Sequence, residues 1–67
     1  MESAESLRKS LPKGTRLMLT RDLPSDPKLY AGLKGSVDFI DESCDIHMNW
    51  DNGSTTPITV NDNWKLI

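Results

Sequence analysis

The sequence predicts a small, mainly β domain: a five-stranded barrel with a short N-terminal helix or arm. Three observations carry this. Apolar residues recur at every second position in several short runs, which is the period of a half-buried strand. Proline, glycine and asparagine separate those runs. An Asn-Gly pair, Asn52-Gly53, directly follows the cleanest of them and is a strong short-range signal for a hairpin.

Residues 1–12 are the least strand-like. Ser3 is placed to cap a short helix in which Leu7 and Leu11 share one face at i,i+4. So brief a segment needs packing to persist, so it reads as a docked helix or a frayed arm. Pro12-Lys13-Gly14 ends it, and the barrel is expected over residues 13–67. Residues 15–20 form the first strand, with Leu17 and Leu19 on one side and Arg16 and Met18 on the other. Residues 21–32 contain Pro24, Pro27 and Gly32 and show no period. They make a loop that is long for such a domain, where Leu23, Leu29 and Tyr30 either anchor to the barrel or present an apolar contact.

Gly32 and Gly35 bracket the entry to the second strand, where glycine permits positive φ or a close backbone approach. In residues 36–41 Val37 and Phe39 face one way, and Ile40, out of phase, marks a bulge or a residue covered on the second face. Residues 45–50 alternate cleanly: Ile46, Met48 and Trp50 inward, His47 and Asn49 outward. Asn52-Gly53 in a type I′ turn returns the chain into a fourth strand over 54–60, which Pro57 places at an edge or a bend. Residues 61–63 form a tight turn or a single turn of 3₁₀-helix, and Trp64 to Ile67 make the last strand. One long early loop and a turn before the final strand give the layout of an SH3-like small barrel.

Length bounds what this fold can do. A chain of 67 residues buries only about 60% of the surface it exposes when unfolded. Its 24 apolar side chains, 36% of the composition, are just enough to fill one closed barrel. Little room is left for a water-excluding pocket, and the sequence has no phosphate-binding glycine loop and no Ser-His-Asp set. A non-enzymatic protein is expected, with no catalytic residues and no cofactor. No metal site is expected either, because Cys44 and His47 are each the sole residue of their type and the acids lack calcium-loop spacing. A single cysteine excludes an intramolecular disulfide. With no apolar run long enough for a membrane span and no signal-peptide pattern, the expected location is cytoplasmic.

The net charge of -2 hides an asymmetry. Residues 1–34 carry seven bases and four acids, whereas residues 35–67 carry Lys65 and six acids. The fold decides whether these halves form separate patches, which would steer a partner, or pair with each other. Arg8, Lys9, Lys13 and Arg16 are the basic candidates for contact with a macromolecule. Tyr30, Trp50 and Trp64 are the aromatic candidates for a peptide or base platform, with Asp51 beside Trp50; burial of the tryptophans removes that platform.

Three stretches carry a resemblance: Leu11-Pro12-Lys13-Gly14-Thr15-Arg16-Leu17, Gly32-Leu33-Lys34-Gly35-Ser36-Val37 with Ile40-Asp41, and residues 45–53 from Asp45 through Trp50-Asp51-Asn52-Gly53. Together they resemble an uncharacterised family of short bacterial, plasmid and phage proteins. The shared pattern is Lys-Gly-Thr-Arg, Gly-x-x-Gly-x-Val and Ile-His-x-x-Trp-Asp-x-Gly. The resemblance implies an SH3-like barrel and a link to mobile elements, and the family has no assigned activity.

The expected function is that of a binding module from a phage or mobile element, acting on a protein partner, with inhibition of a host defence nuclease as one form. The alternative is a nucleic-acid-binding accessory domain that uses the basic half. An isoelectric point near 5.1 argues for weak rather than autonomous nucleic-acid binding. A monomer is favoured, with self-assembly through an edge around Thr55 to Thr59 as the other arrangement.

Overall fold

The computed structural model describes residues 3–24 and 26–67, so the first two residues of the expected arm and Ser25 of the long loop lie outside the described residues. Helix α1 (Ala4–Ser10) precedes strands β1 (Arg16–Leu19), β2 (Lys34–Ile40), β3 (Ile46–Trp50) and β4 (Trp64–Leu66). The strands form one antiparallel sheet in the order β3-β2-β1-β4.

The helix has the predicted cap. Ser3 Oγ accepts the Ser6 N–H at 3.1 Å, Glu5 sits in the first turn, and Arg8 and Lys9 sit in the last, where the helix dipole favours cations. Leu7 and Leu11 are buried and dock the helix onto the sheet. Twelve apolar side chains are buried among the described residues, each worth about 1.5–3 kcal/mol relative to full exposure. They come from α1, the inward faces of β1, β2 and β3, Leu29 and Leu33 of the long loop, and Ile58. Among the described residues no polar or charged side chain is buried.

Gly32 and Gly35 take different roles. Gly32 has φ +92° and turns the chain into β2. Gly35 provides closeness: a Cβ there would lie 2.6 Å from Trp50 Cε3 and 3.1 Å from the Asn49 carbonyl oxygen. The Trp50 indole lies over Gly35, its cross-strand partner, and its Nε1 donates to the Thr56 carbonyl at 2.9 Å.

Three details differ from expectation. Residues 54–60 are not a strand: they run back along β3, paired through Trp50 N–H to Ser54 and an isolated Ile46–Ile58 bridge. Between these contacts the Thr56 carbonyl is taken by Trp50, its N–H faces Ser54 Oγ, and Pro57 has no N–H to give. Among the described residues the sheet therefore has four strands and is open, which corrects the expectation of a closed five-stranded barrel.

The turn at residues 50–53 is not type I′. Gly53 has φ +88° but Asn52 does not have positive φ, and the Gly53 N–H bonds the Trp50 carbonyl at 2.9 Å. This fits a three-residue hairpin loop with glycine in the left-handed position.

The bulge suggested by Ile40 exists, with a register shift between Val37 and Phe39, but it acts in the opposite sense. Ile40 faces the core and Phe39 is 52% exposed. The tight turn expected before the last strand is present, closed by the Asp62 N–H on the Thr59 carbonyl.

Candidate functional site

The basic residues of the N-terminal half meet the acids of the C-terminal half. Arg8 donates through Nε to the Ile40 carbonyl at 3.0 Å and reaches Glu42 at 3.5 Å. Lys13 lies 3.8 Å from Asp38. Arg16 forms a two-pronged pair with Asp51 at 2.9 and 2.8 Å and also donates to Ser36 Oγ. This fork geometry is the stronger kind of ion pair, although surface exposure keeps its net contribution modest. The Arg16 hydrogen bonds, aided by the nearby charges of Arg16 and Lys34, hold the Asp51 carboxyl below the usual carboxylate range. Of the four predicted basic candidates only Lys9, exposed in the last turn of α1, has no acid beside it among the described ion pairs. Antiparallel folding thus brings the oppositely charged halves together.

The aromatic candidates do not converge into one platform. Trp50 is 3% exposed and belongs to the core. Trp64 packs half-buried against the core, with Nε1 donating to the Thr59 carbonyl. Tyr30 is exposed on the long loop. That loop is tethered: the Asp22 carboxylate accepts the Ala31 N–H, Asn52 Nδ2 donates to the Lys28 carbonyl, and the Thr56 hydroxyl donates to Asp26. The Thr56 bond, followed by the Lys28 backbone N–H, lowers the Asp26 pKa.

The exposed aromatic that sequence reasoning missed is Phe39. Turned outward by the bulge, it stacks on its cross-strand neighbour His47, with ring centroids 4.2 Å apart and planes 7° from parallel. Asp41 fixes that imidazole, with Oδ2 2.8 Å from His47 Nε2, while Oδ1 accepts the backbone N–H groups of Ser43 and Asp45. The His47 bond first, then those from the backbone, pull the Asp41 pKa down. His47 faces outward as expected, as a positioned ring stacked on its cross-strand neighbour. The signal for Phe39 was the out-of-phase Ile40: a bulge permits either residue to face inward.

Strand register arranges the rest of the outward face. Met18 lies directly opposite Lys34 on β2 and Lys65 on β4, and Arg16 is opposite Ser36, itself opposite Asn49. The face thus runs from Phe39 and His47 at one end, across Arg16 and Asn49, to Lys34, Met18 and Lys65 at the other. Acids flank the Phe39 end, namely Asp38, Asp41 and Glu42, while Asp51 at the lysine end is held by Arg16. Among the described residues no three His, Cys, Asp or Glu side chains are placed to hold a metal ion, and no helix is long and apolar enough to cross a membrane.

Over residues 1–66 the chain matches the family described as a domain of unknown function, DUF4314, and it belongs to that family. No curated protein and no solved structure matches it.

Proposed function

We propose that the chain is a non-enzymatic module that binds a protein partner through the outward face of its sheet, centred on Phe39. The observation that carries this reading is the β2 bulge. In a domain whose stability depends on few apolar side chains, the sole phenylalanine is turned to solvent while Ile40 fills the core. Bulges re-aim side chains at sites of function, and a rigid aromatic on an ordered strand is a low-entropy anchor for a partner. The His47 stack and the Asp41 carboxylate hold that anchor in one orientation.

The connectivity supports an SH3-like build. A long loop follows β1, hairpins flank β3, residues 54–60 return along β3, and a turn leads to β4 against β1. The motif resemblance favours a source in phages or other mobile elements, where inhibition of a host nuclease is one use of such a surface. A nucleic-acid reading is disfavoured by charge. Arg8, Lys13 and Arg16 are engaged by Glu42, Asp38 and Asp51, which leaves no net positive patch around Phe39 for a phosphate chain to follow.

The test is affinity capture from bacterial lysate with the wild-type chain, Phe39→Ala and Tyr30→Ala, quantified by mass spectrometry. A protein retained by wild type and Tyr30→Ala but lost from Phe39→Ala is expected; equal recovery by all three overturns the reading. Fluorescence anisotropy with single- and double-stranded DNA at low salt is expected to show no saturation at about tens of micromolar, within the range of ordinary non-specific binding.

A further inference from the structure

We infer that the outward face recognises an extended segment of the partner protein that sets an apolar side chain on Phe39 and acidic side chains on Lys34 and Lys65. This rests on the proposed protein-binding reading and specifies the chemistry of the partner. Three observations lead to it.

The first is where cations remain once internal pairing is complete. Lys34 and Lys65 are exposed and form no salt bridge among the described residues. They come from opposite halves of the chain, yet strand register sets both beside Met18 on one side of the sheet. Among the described residues the acid at this end is Asp51, whose carboxylate oxygens both accept from Arg16 and which also feels the charge of Lys34, so that Arg16, Lys34 and Lys65 face a single carboxylate. This end therefore has excess positive charge around a half-buried methionine, a soft apolar contact.

The second observation is distance. Phe39 and Lys34 are five residues apart on β2, one of them taken up by the bulge, which sets them about 13 Å apart at the rise of a strand. An extended segment of about five residues covers that span, which matches a short linear peptide better than a folded surface.

Charge of both signs on one face is the third. At the Phe39 end Asp38 and Glu42 are paired with Lys13 and Arg8 and Asp41 with His47, which leaves three acids against two bases, whereas the Met18 end carries two lysines with no salt bridge among the described residues. A uniformly charged polyanion that touched both ends would gain attraction at the lysine end alone, where a peptide can place its acids. Self-pairing of β4 is a poor competitor, because Lys65 at the centre of a three-residue edge strand would face its own copy.

The experiment selects a displayed random-peptide library on the full chain and measures the enriched peptides by fluorescence anisotropy. Peptides combining an apolar residue with acids a few positions away are expected, with affinity falling about tenfold or more in the Lys34→Glu, Lys65→Glu double variant and in Phe39→Ala. Binding that is lost in Phe39→Ala but unmoved by the double variant overturns the acidic-segment inference and leaves the Phe39 surface standing. Binding unmoved by either change, or no enrichment, overturns both. Labelled oligothymidylate that binds more tightly than the peptides, and is lost on the same charge reversal, replaces the protein partner with a single-stranded nucleic acid. Thermal unfolding of each variant separates lost binding from lost fold.

Discussion

The hairpin loops at the two ends of β3 close in the same way and are held by different forces. In residues 41–45 the Asp41 N–H bonds the Asp45 carbonyl and the Cys44 N–H bonds the Asp41 carbonyl; in residues 50–54 Trp50, Gly53 and Ser54 repeat the pattern. The left-handed position falls to Cys44 at φ 66° in the first loop and to Gly53 at φ +88° in the second. For Cys44 that backbone costs about 1–2 kcal/mol, offset by packing of the side chain against the core.

The first loop is tied by a carboxylate, since Asp41 binds two backbone N–H groups and His47. The second is tied by packing and a neutral amide: Trp50 over Gly35 with its indole on Thr56, and Asn52 Oδ1 accepting the Ser54 N–H. One geometry thus has its own backbone tied by a carboxylate beside Phe39 and by a neutral amide at the lysine end, where the carboxylate of Asp51 binds Arg16 instead.

Breaking the packed loop is expected to cost most. Trp50→Ala removes a buried indole and its hydrogen bond and is predicted to lose about 3–5 kcal/mol, enough to unfold much of so small a domain. Gly35→Ala drives a Cβ into Trp50 and the Asn49 backbone and is predicted to lose about 1–3 kcal/mol. Urea titration checks both, and a Gly35→Ala protein as stable as wild type would remove the claim that closeness selects glycine there.

The left-handed positions come next. Gly53→Cys is predicted to destabilise by about 1–2 kcal/mol, because no burial compensates the strain at an exposed tip. Cys44→Gly relieves strain but loses packing and loosens the unfolded chain, so its stability is expected to stay within about 1 kcal/mol of wild type. Equal losses from the two substitutions would show that the loops are not held differently.

Acid sharpens the contrast. The pKa of Asp41 is depressed in the folded state, so its contribution is present above the ordinary carboxylate pKa and is lost as pH falls through the lower folded value. Asp51 and Asp26 behave the same way, but they bind Arg16 and Thr56 and do not tie the second loop's own backbone. Below about pH 4, amide exchange in residues 41–45 is expected to accelerate before that in 50–54. Asp41→Asn should weaken the first loop at neutral pH and flatten its response to acid. Uniform acceleration across both loops would contradict this order. Phe39→Ala is expected to have the smallest effect on stability, within about 0.5 kcal/mol, since the ring faces solvent.

What could be read from the chain divides along physical lines. Local signals survived: the Ser3 cap, the alternation of β3 and the turn at Asn52-Gly53 depend on neighbours in sequence. The hairpin turn at Asn52-Gly53 returns the chain along β3, but a continuous ladder over 54–60 depends on what Thr56 and Pro57 meet beside β3. Phe39 and Ile40 could exchange faces at a bulge, and only the available core volume decides between them. The charge asymmetry was visible in the sequence, but its cancellation through Arg8, Lys13 and Arg16 required the strand register. Lys34 and Lys65 meet around Met18 for the same reason, which placed that end of the face beyond sequence reasoning.

The measurement closest to the central claim is binding of a selected peptide to wild type and to Phe39→Ala, with thermal unfolding recorded on the same samples. A loss of affinity of about tenfold or more at an unchanged unfolding temperature is predicted, as for an interface anchor. Unchanged affinity would show that the outward-turned phenylalanine is not the contact on which recognition depends.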